Sequence, residues 1–579
     1  MSGGVDENTV WGSDVVADML RTLGYEHAVL VPGASFRGLH DSIVNHLGNR
    51  NPHLITCLHE NHAVSIADGY SRVTETPLLV ILHSNVGLMN GSMAIYNAWC
   101  DRRPMLIVGA TGPVDAHHRR PWIDWVHTSR DQAAIVRPYV KWDDQPGSIE
   151  ACVESLLRAD QITRARPQGP VYVCLDAHLQ ETALQREVTI PPAGRFGPPR
   201  TPAAPADLVA EIETALMQAR QPLILAGRVS RDMDDWQRRI SFAERFGAQI
   251  LSSMNNAPAF PTKHPLHVLP PAGDKATEAE GRALAEADLI LSLDWLDLAG
   301  FIRARTGHSQ TQKPIAAKVI HCSLDGMLTN GWSLDHQALP AIDLSVLAHP
   351  DTLIAQLMER PATAPPRPRM NAAHWTEKPT KPDASADFDL TQLAFALGEW
   401  SDQREVTFAR LPIGWPQRAC RFRSPLDFLG KDGGGAVGTG PAHTVGAALA
   451  LKDSTRLVVG VIGDGDFAMG MNALWTAAAQ KLPLMLIVAN NGSYYNDEVH
   501  QERMAVQRHR PVENKWIGQR LDSPAMALGE IAKAQGFEAH APVTDLAQLA
   551  DALAAGERVV REGGCFFIDA RIKAGYSKD

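Results

Sequence analysis

Short, almost wholly apolar runs alternate along this chain with longer stretches whose apolar residues recur at helical spacing. The runs fall at 77–82, 104–108, 170–175, 222–226, 289–293, 457–462 and 484–489, and they are rich in Val, Ile and Leu. A strand wetted on one face alternates apolar and polar residues, whereas one covered on both faces does not. The runs therefore predict parallel sheets covered by helices. Their alternation with helical stretches predicts an α/β protein of doubly wound parallel-sheet domains. In such folds ligands bind beyond the carboxyl ends of the strands, so the chemistry is expected just after each run.

Two proline-rich stretches break the pattern. The first, 189–205, holds Pro191, Pro192, Pro198, Pro199, Pro202 and Pro205; the second, 361–382, holds Pro361, Pro365, Pro366, Pro368, Pro379 and Pro382. Proline fixes φ and has no N–H, so neither stretch can continue a helix or a central strand. Read as linkers, they divide the chain into three α/β domains of similar size, 1–188, 206–360 and 383–579.

Composition narrows the class of protein. The 579 residues are 45% hydrophobic and 21% charged, which excludes a disordered chain or a fibre. Lys+Arg 55 against Asp+Glu 65 gives a net charge of −10 with no basic block, so no nucleic-acid partner is expected. No apolar run reaches about 18 residues, so no membrane partner is expected either. The first residues lack the basic and apolar regions of a secretory leader. The seven cysteines include no Cys-x-x-Cys pair and read as isolated reduced thiols. A cytoplasmic enzyme fits these features.

The clearest chemical signal follows two of the runs. Gly463-Asp464-Gly465-Asp466 comes directly after 457–462, and Asn490-Asn491-Gly492-Ser493 directly after 484–489. Adjacent parallel strands lie about 4.8 Å apart, so Asp464 and Asn491 can converge on one point. A carboxylate, an amide oxygen and nearby backbone carbonyls make a hard oxygen site for Mg²⁺ or Ca²⁺. Magnesium takes further ligands from phosphate. Gly463 and Gly465 would let a phosphate approach the backbone, and the start of the next helix favours its charge.

This pairing, Gly-Asp-Gly followed at a distance by Asn-Asn, resembles the thiamine-diphosphate-dependent enzymes. The resemblance implies that Asp464 and Asn491 hold Mg²⁺ together with the main-chain carbonyl of Ser493, and that Gly463, Gly465 and Asp466 border the diphosphate of thiamine diphosphate. It also gives meaning to His59-Glu60-Asn61-His62 and the later Asp68-Gly69-Tyr70-Ser71-Arg72. Glu60 matches the family's glutamate that shares a proton with the aminopyrimidine ring. Glu60 and Asp464 fall in different domains. The family bridges them across subunits, which implies a homodimer or homotetramer.

Within that family the stretches around His83 and around 473–478 are similar to benzoylformate decarboxylase. The similarity implies a 2-oxo acid decarboxylase or carbon–carbon lyase working through carbanion and enamine chemistry, with His83 in proton transfer at the substrate carboxylate. An acetolactate synthase-like carboligase and a catalytically silent cofactor-binding paralogue are the alternatives. There are departures. The serine that should directly follow Pro32-Gly33 is absent there or displaced by one, to Ser35, and the central region carries no second histidine at 293–298. The residue expected to support the bent cofactor is Ala436, with Val437 beside it. His500 is the candidate replacement proton donor.

Overall fold

The computed structural model describes residues 9–273, 275–308, 314–327, 337–361 and 387–575. All seven apolar runs are strands. Three sheets form, one in each third of the chain, and every described strand pairing inside them is parallel.

The first sheet comprises β1 (His27–Leu30), β2 (His53–Thr56), β3 (Leu78–Leu82), β4 (Met105–Thr111), β5 (Asp143–Asp144) and β6 (Pro170–Asp176), in the order β2-β1-β3-β4-β6-β5. The second comprises β7 (Pro222–Ala226), β8 (Gln249–Ser252), β9 (Leu289–Leu293), β10 (Lys318–Cys322) and β11 (Leu344–Val346), in the order β11-β10-β9-β7-β8. The third comprises β12 (Val406–Arg410), β13 (Leu457–Gly463), β14 (Leu484–Asn490), β15 (Glu538–Ala539) and β16 (Cys565–Arg571), in the order β12-β13-β14-β16-β15. The central strands β3, β4 and β6 are buried at every residue, as strands with helices on both faces must be.

The first proline-rich stretch holds only a single 3₁₀ turn, Ala193–Arg195, before the helix Ala206–Gln218 begins. All of the second stretch beyond Pro361 lies outside the described residues. All seven cysteines are free, and five are buried. Among the described residues no helix is long and apolar enough to cross a membrane.

One contact between the first and third sheets positions the site. The helices Glu60–Thr74 and Gly440–Leu451 pack backbone to backbone. A Cβ on Gly69 would lie 2.3 Å from the carbonyl oxygen of His443, and one on Gly446 would lie 2.1 Å from that of Ile66. The helices therefore run antiparallel, held by glycines where they touch. Buried charges flank the crossing: Arg72 Nε donates to Asp68 Oδ1 at 2.9 Å, and His443 Nε2 and Nδ1 lie 3.0 Å from Asp68 and 3.2 Å from Asp432. Burial alone would raise Asp68, but Arg72 and His443 overcome it and hold the carboxyl well below its usual range. The three acceptor groups Asp68, Asp432 and His443 have the geometry of a cation site. The Arg72 guanidinium, in contact with both carboxylates, supplies the positive charge there.

Candidate active site

The predicted residues form two groups at strand ends. The first surrounds Asp464. Gly463 and Ala489 are register partners in β13 and β14, which brings Asp464 level with Asn490 and leaves Asn491 one step beyond. Asp464 opens the helix Asp464–Gly470 and is 2% exposed. Its Oδ2 is buried with no hydrogen-bond partner among the described residues. Burial pushes the carboxyl up to about 6, against the lowering pull of backbone N–H groups at 464, 465, 492 and 493. Those N–H groups come from both turns, so the two turns converge on this carboxylate.

The second turn is tied by its own amides. Asn490 Oδ1 accepts from Gly492 N–H at 3.1 Å, and Asn491 Oδ1 from Ser493 N–H at 3.0 Å. Gly492 has φ +68°, which a side chain would strain. The Ser493 hydroxyl donates to the buried Glu498 carboxylate. The cross-strand bonds next to it use Gly492 O and Tyr494 N–H, not the carbonyl of Ser493.

The neighbouring residues divide their tasks differently from the expectation. Gly463 has open space where a side chain would be, as an approaching ligand requires. At Gly465 the close approach is made by the Tyr494 ring, 2.3 Å from where a Cβ would sit. Asp466 turns its carboxylate toward the preceding loop, accepting from Gly438 N–H at 2.7 Å and Gly440 N–H at 3.2 Å. It thereby fixes the loop that carries Ala436 and the exposed Val437. His500 is exposed on the helix Tyr495–Gln507, beyond Ser493.

The second group lies at the carboxyl ends of β1, β2 and β3. His59 caps the helix Glu60–Thr74, its Nδ1 accepting from Asn61 N–H at 3.1 Å. Glu60 is 8% exposed, and Asn90 Nδ2 donates to its Oε2 at 3.0 Å. A Cβ on Gly87 would touch both Glu60 Oε1, at 3.3 Å, and His83 Cβ, at 3.6 Å, so the carboxylate and the imidazole share one cleft. Burial lowers His83 below the usual imidazole range; His127 and Arg120 add to this and Glu60 opposes it.

Two further participants are placed only by the fold: Ser35, visible in the sequence only as a departure from the family's serine position, and His127, which had no local signal. Ser35 Oγ lies 2.8 Å from His83 Nδ1, because β1 and β3 are adjacent although 48 residues separate the pair. The His127 ring packs edge-on to that of His83, 4.7 Å between centroids. Only the fold brings these together. Trp122 and Trp125, on the same loop, are 71% and 72% exposed and so belong to no core.

The two groups do not meet within one chain. Asp466 grips Gly438 and Gly440 at the start of the helix Gly440–Leu451, while the antiparallel crossing carries Glu60 toward its far end, roughly 17 Å away along the axis. Around the Glu60 cleft and on the 112–128 loop Leu58, Val86, Met89, Met93, Trp122 and Trp125 are exposed, and in the third of the chain that carries Asp464 so are Val437, Met469, Trp475, Met504, Trp516 and Ile517.

Three family models cover the chain: the thiamine pyrophosphate enzyme N-terminal TPP binding domain matches residues 10–135, the central domain 209–330 and the C-terminal TPP binding domain 412–570. The chain belongs to the thiamine pyrophosphate enzyme family. Its Glu60 and Asp464 therefore fall in the family's two cofactor-binding domains. Benzoylformate decarboxylase of Pseudomonas aeruginosa is 27% identical over 76% of this chain and 78% of its own. The acetolactate synthase large subunit of Lactococcus lactis is 22% identical over 84% and 82%. The fold matches the crystal structure of benzoylformate decarboxylase from Polynucleobacter necessarius with a TM-score of 0.80 and 21% identity, covering 98% of this chain and 99% of that one.

Proposed function

We propose that this protein is a thiamine-diphosphate-dependent 2-oxo acid decarboxylase whose active site is completed by a second copy of the chain. One observation carries the cofactor assignment: the buried Asp464 Oδ2, without a hydrogen-bond partner, at the point where the two turns converge beside the open Gly463. A buried carboxylate oxygen with no donor is costly unless a cation satisfies it. The residues present fit a magnesium diphosphate. Asp464, the Asn491 amide oxygen and the Ser493 carbonyl would hold Mg²⁺, and Gly463 would admit the diphosphate. When bound, thiamine diphosphate supplies the nucleophilic carbon and the electron sink for loss of carbon dioxide.

The chain's own residues then divide the work. Glu60, held by Asn90, would share a proton with the aminopyrimidine ring of a bound cofactor. Asp466 keeps the loop at Ala436 and Val437 in place, where it would support the cofactor. His83, which burial and its neighbours hold toward the neutral form, offers a hydrogen bond from its N–H to the substrate carboxylate. The distance of this cleft from the Asp464 group would be bridged by pairing two chains about a two-fold axis, each giving Glu60 to the other's Asp464. The exposed apolar residues around both clefts are what such a pairing would cover.

The test is carbon dioxide release from a panel of aryl and alkyl 2-oxo acids by protein loaded with thiamine diphosphate and Mg²⁺, repeated with an added aldehyde. Aldehyde product from the acid alone is expected, with Glu60→Gln slower by about 10²-fold or more. Turnover only when a second carbonyl compound is present would make the enzyme a carboligase. No turnover of any acid, or full activity in Glu60→Gln, would overturn the reading.

A further inference from the structure

The displaced serine has a use that its place in the sequence conceals. Gly33 lies against His83 so closely that a Cβ there would be 2.3 Å from both Cβ and Cγ of the imidazole. This approach brings the next turn, Ala34–Phe36, over the ring. The backbone N–H of Ser35 points at His83 Nδ1 at 3.4 Å, and its hydroxyl lies 2.8 Å from the same nitrogen. A backbone N–H can only donate, so Nδ1 must be an acceptor. The hydroxyl oxygen already accepts from Ser84 N–H at 3.2 Å, which leaves its one proton for Nδ1. Gln180, 1% exposed, holds the Ser35 carbonyl through its Nε2 at 3.1 Å, so the turn cannot swing away.

We propose that Ser35 is a positioning residue that fixes the tautomer of His83, confining its single proton to Nε2. Nδ1 faces two donors and Nε2 is the nitrogen left for the cleft. The groups that face the ring are Glu60 from the helix Glu60–Thr74 and, from the 112–128 loop, His127 and Arg120, the latter bound to Asp124 Oδ1 at 2.7 Å. The edge-on His127 and burial both disfavour a second proton on His83. A neutral imidazole with its proton on Nε2 is a donor at that nitrogen, whichever 2-oxo acid lies in the cleft. The other tautomer would present a lone pair to a substrate carboxylate and repel it. The proposal rests on the decarboxylase reading only for the use made of that proton.

The experiment is ¹⁵N magic-angle-spinning NMR of histidine-labelled, cofactor-free protein near pH 8, with the His83 signals assigned by difference from His83→Gln. The expected result is a bare Nδ1 and a protonated Nε2. Ser35→Ala should give a mixture of tautomers, and in the loaded enzyme a kcat lower by about 10-fold with KM nearly unchanged. Ser35→Thr, which keeps the hydroxyl, should restore both. A proton on Nδ1 in the unmodified protein, or a Ser35→Ala protein with the same tautomer and the same kcat–pH profile, overturns the proposal. Because the tautomer is read without cofactor, it is decided even if none of the acids tried above is a substrate.

Discussion

Asp464 must ionise to hold a cation, yet its site raises its proton affinity. Its folded value, about 6, lies above the ordinary carboxylate value near 4. Without a cation the folded chain therefore binds this proton more tightly than the unfolded chain does, a contribution to stability that is full below about pH 4 and is lost as pH rises to about 6. Metal binding needs the ionised form and competes with the proton. The rise in thermal midpoint on adding Mg²⁺ and thiamine diphosphate should be large at pH 7.5 and shrink as pH falls through about 6. Asp464→Asn should abolish it at both ends. A shift independent of pH would remove Asp464 from the metal site. At the other cleft, Gly33→Ala forces a methyl group into the His83 ring. We expect kcat lower by about 10²-fold with cofactor affinity retained, measured by turnover and by titration of the cofactor. Of these residues Asp464 and Asn491 were legible because each follows an apolar run in a spaced motif, and Glu60 through the family pattern of His59-Glu60 followed by Asp68-Gly69-Tyr70-Ser71-Arg72. His127 was not, and Ser35 was visible only as a departure from the family's pattern, because what gives them a role is adjacency of β1 to β3 and a loop folding back.

At the scale of elements, the antiparallel crossing of Glu60–Thr74 and Gly440–Leu451 matters most. It contains no cavity to absorb a larger residue, since Gly69 and Gly446 each face a backbone carbonyl of the other helix. Gly69→Val must push the helices apart and spread the Arg72, Asp68, Asp432 and His443 charges, which are paired and 1–2% exposed at their side chains. Overpacking costs about 1–3 kcal/mol by itself and a broken buried ion pair about 3–5. A fall of several degrees in thermal midpoint is expected, with Gly69→Ala milder. An unchanged midpoint for Gly69→Val would mean the crossing does not hold the two thirds together. The strands were readable from their apolar runs. The crossing was not, since its partners are hundreds of residues apart and glycines carry no periodic signal.

For the whole molecule, the separation of Glu60 from Asp464 along the crossing is what the proposed assembly answers. Two copies paired about a two-fold axis would form two sites, each with Glu60 from one chain and Asp464 from the other. Glu60→Gln and Asp464→Ala proteins should each retain at most about 1% of the activity. Unfolding and refolding them together should recover activity. Half the random pairs are mixed and each mixed pair has one intact site of two, so about a quarter of the original activity is expected. No recovery in a mixture shown to contain mixed dimers would place both residues' functions in one chain.

Short-range chemistry was determined by the sequence alone. Which runs become buried strands depends on neighbouring residues, and so does a turn that places a carboxylate or an amide at a strand end. The fold class, the cofactor family and the identities of Glu60, Asp464 and Asn491 are therefore legible in the order of residues along the chain. The tertiary structure decided what depends on distant segments meeting: Ser35 against His83, Asp466 turned to the Ala436 loop instead of outward, Tyr494 over Gly465, and Glu60 carried to the opposite end of a helix from Asp464. Those contacts follow from strand order and from the approach of two glycine-bearing helices, and neither leaves a local pattern in the chain.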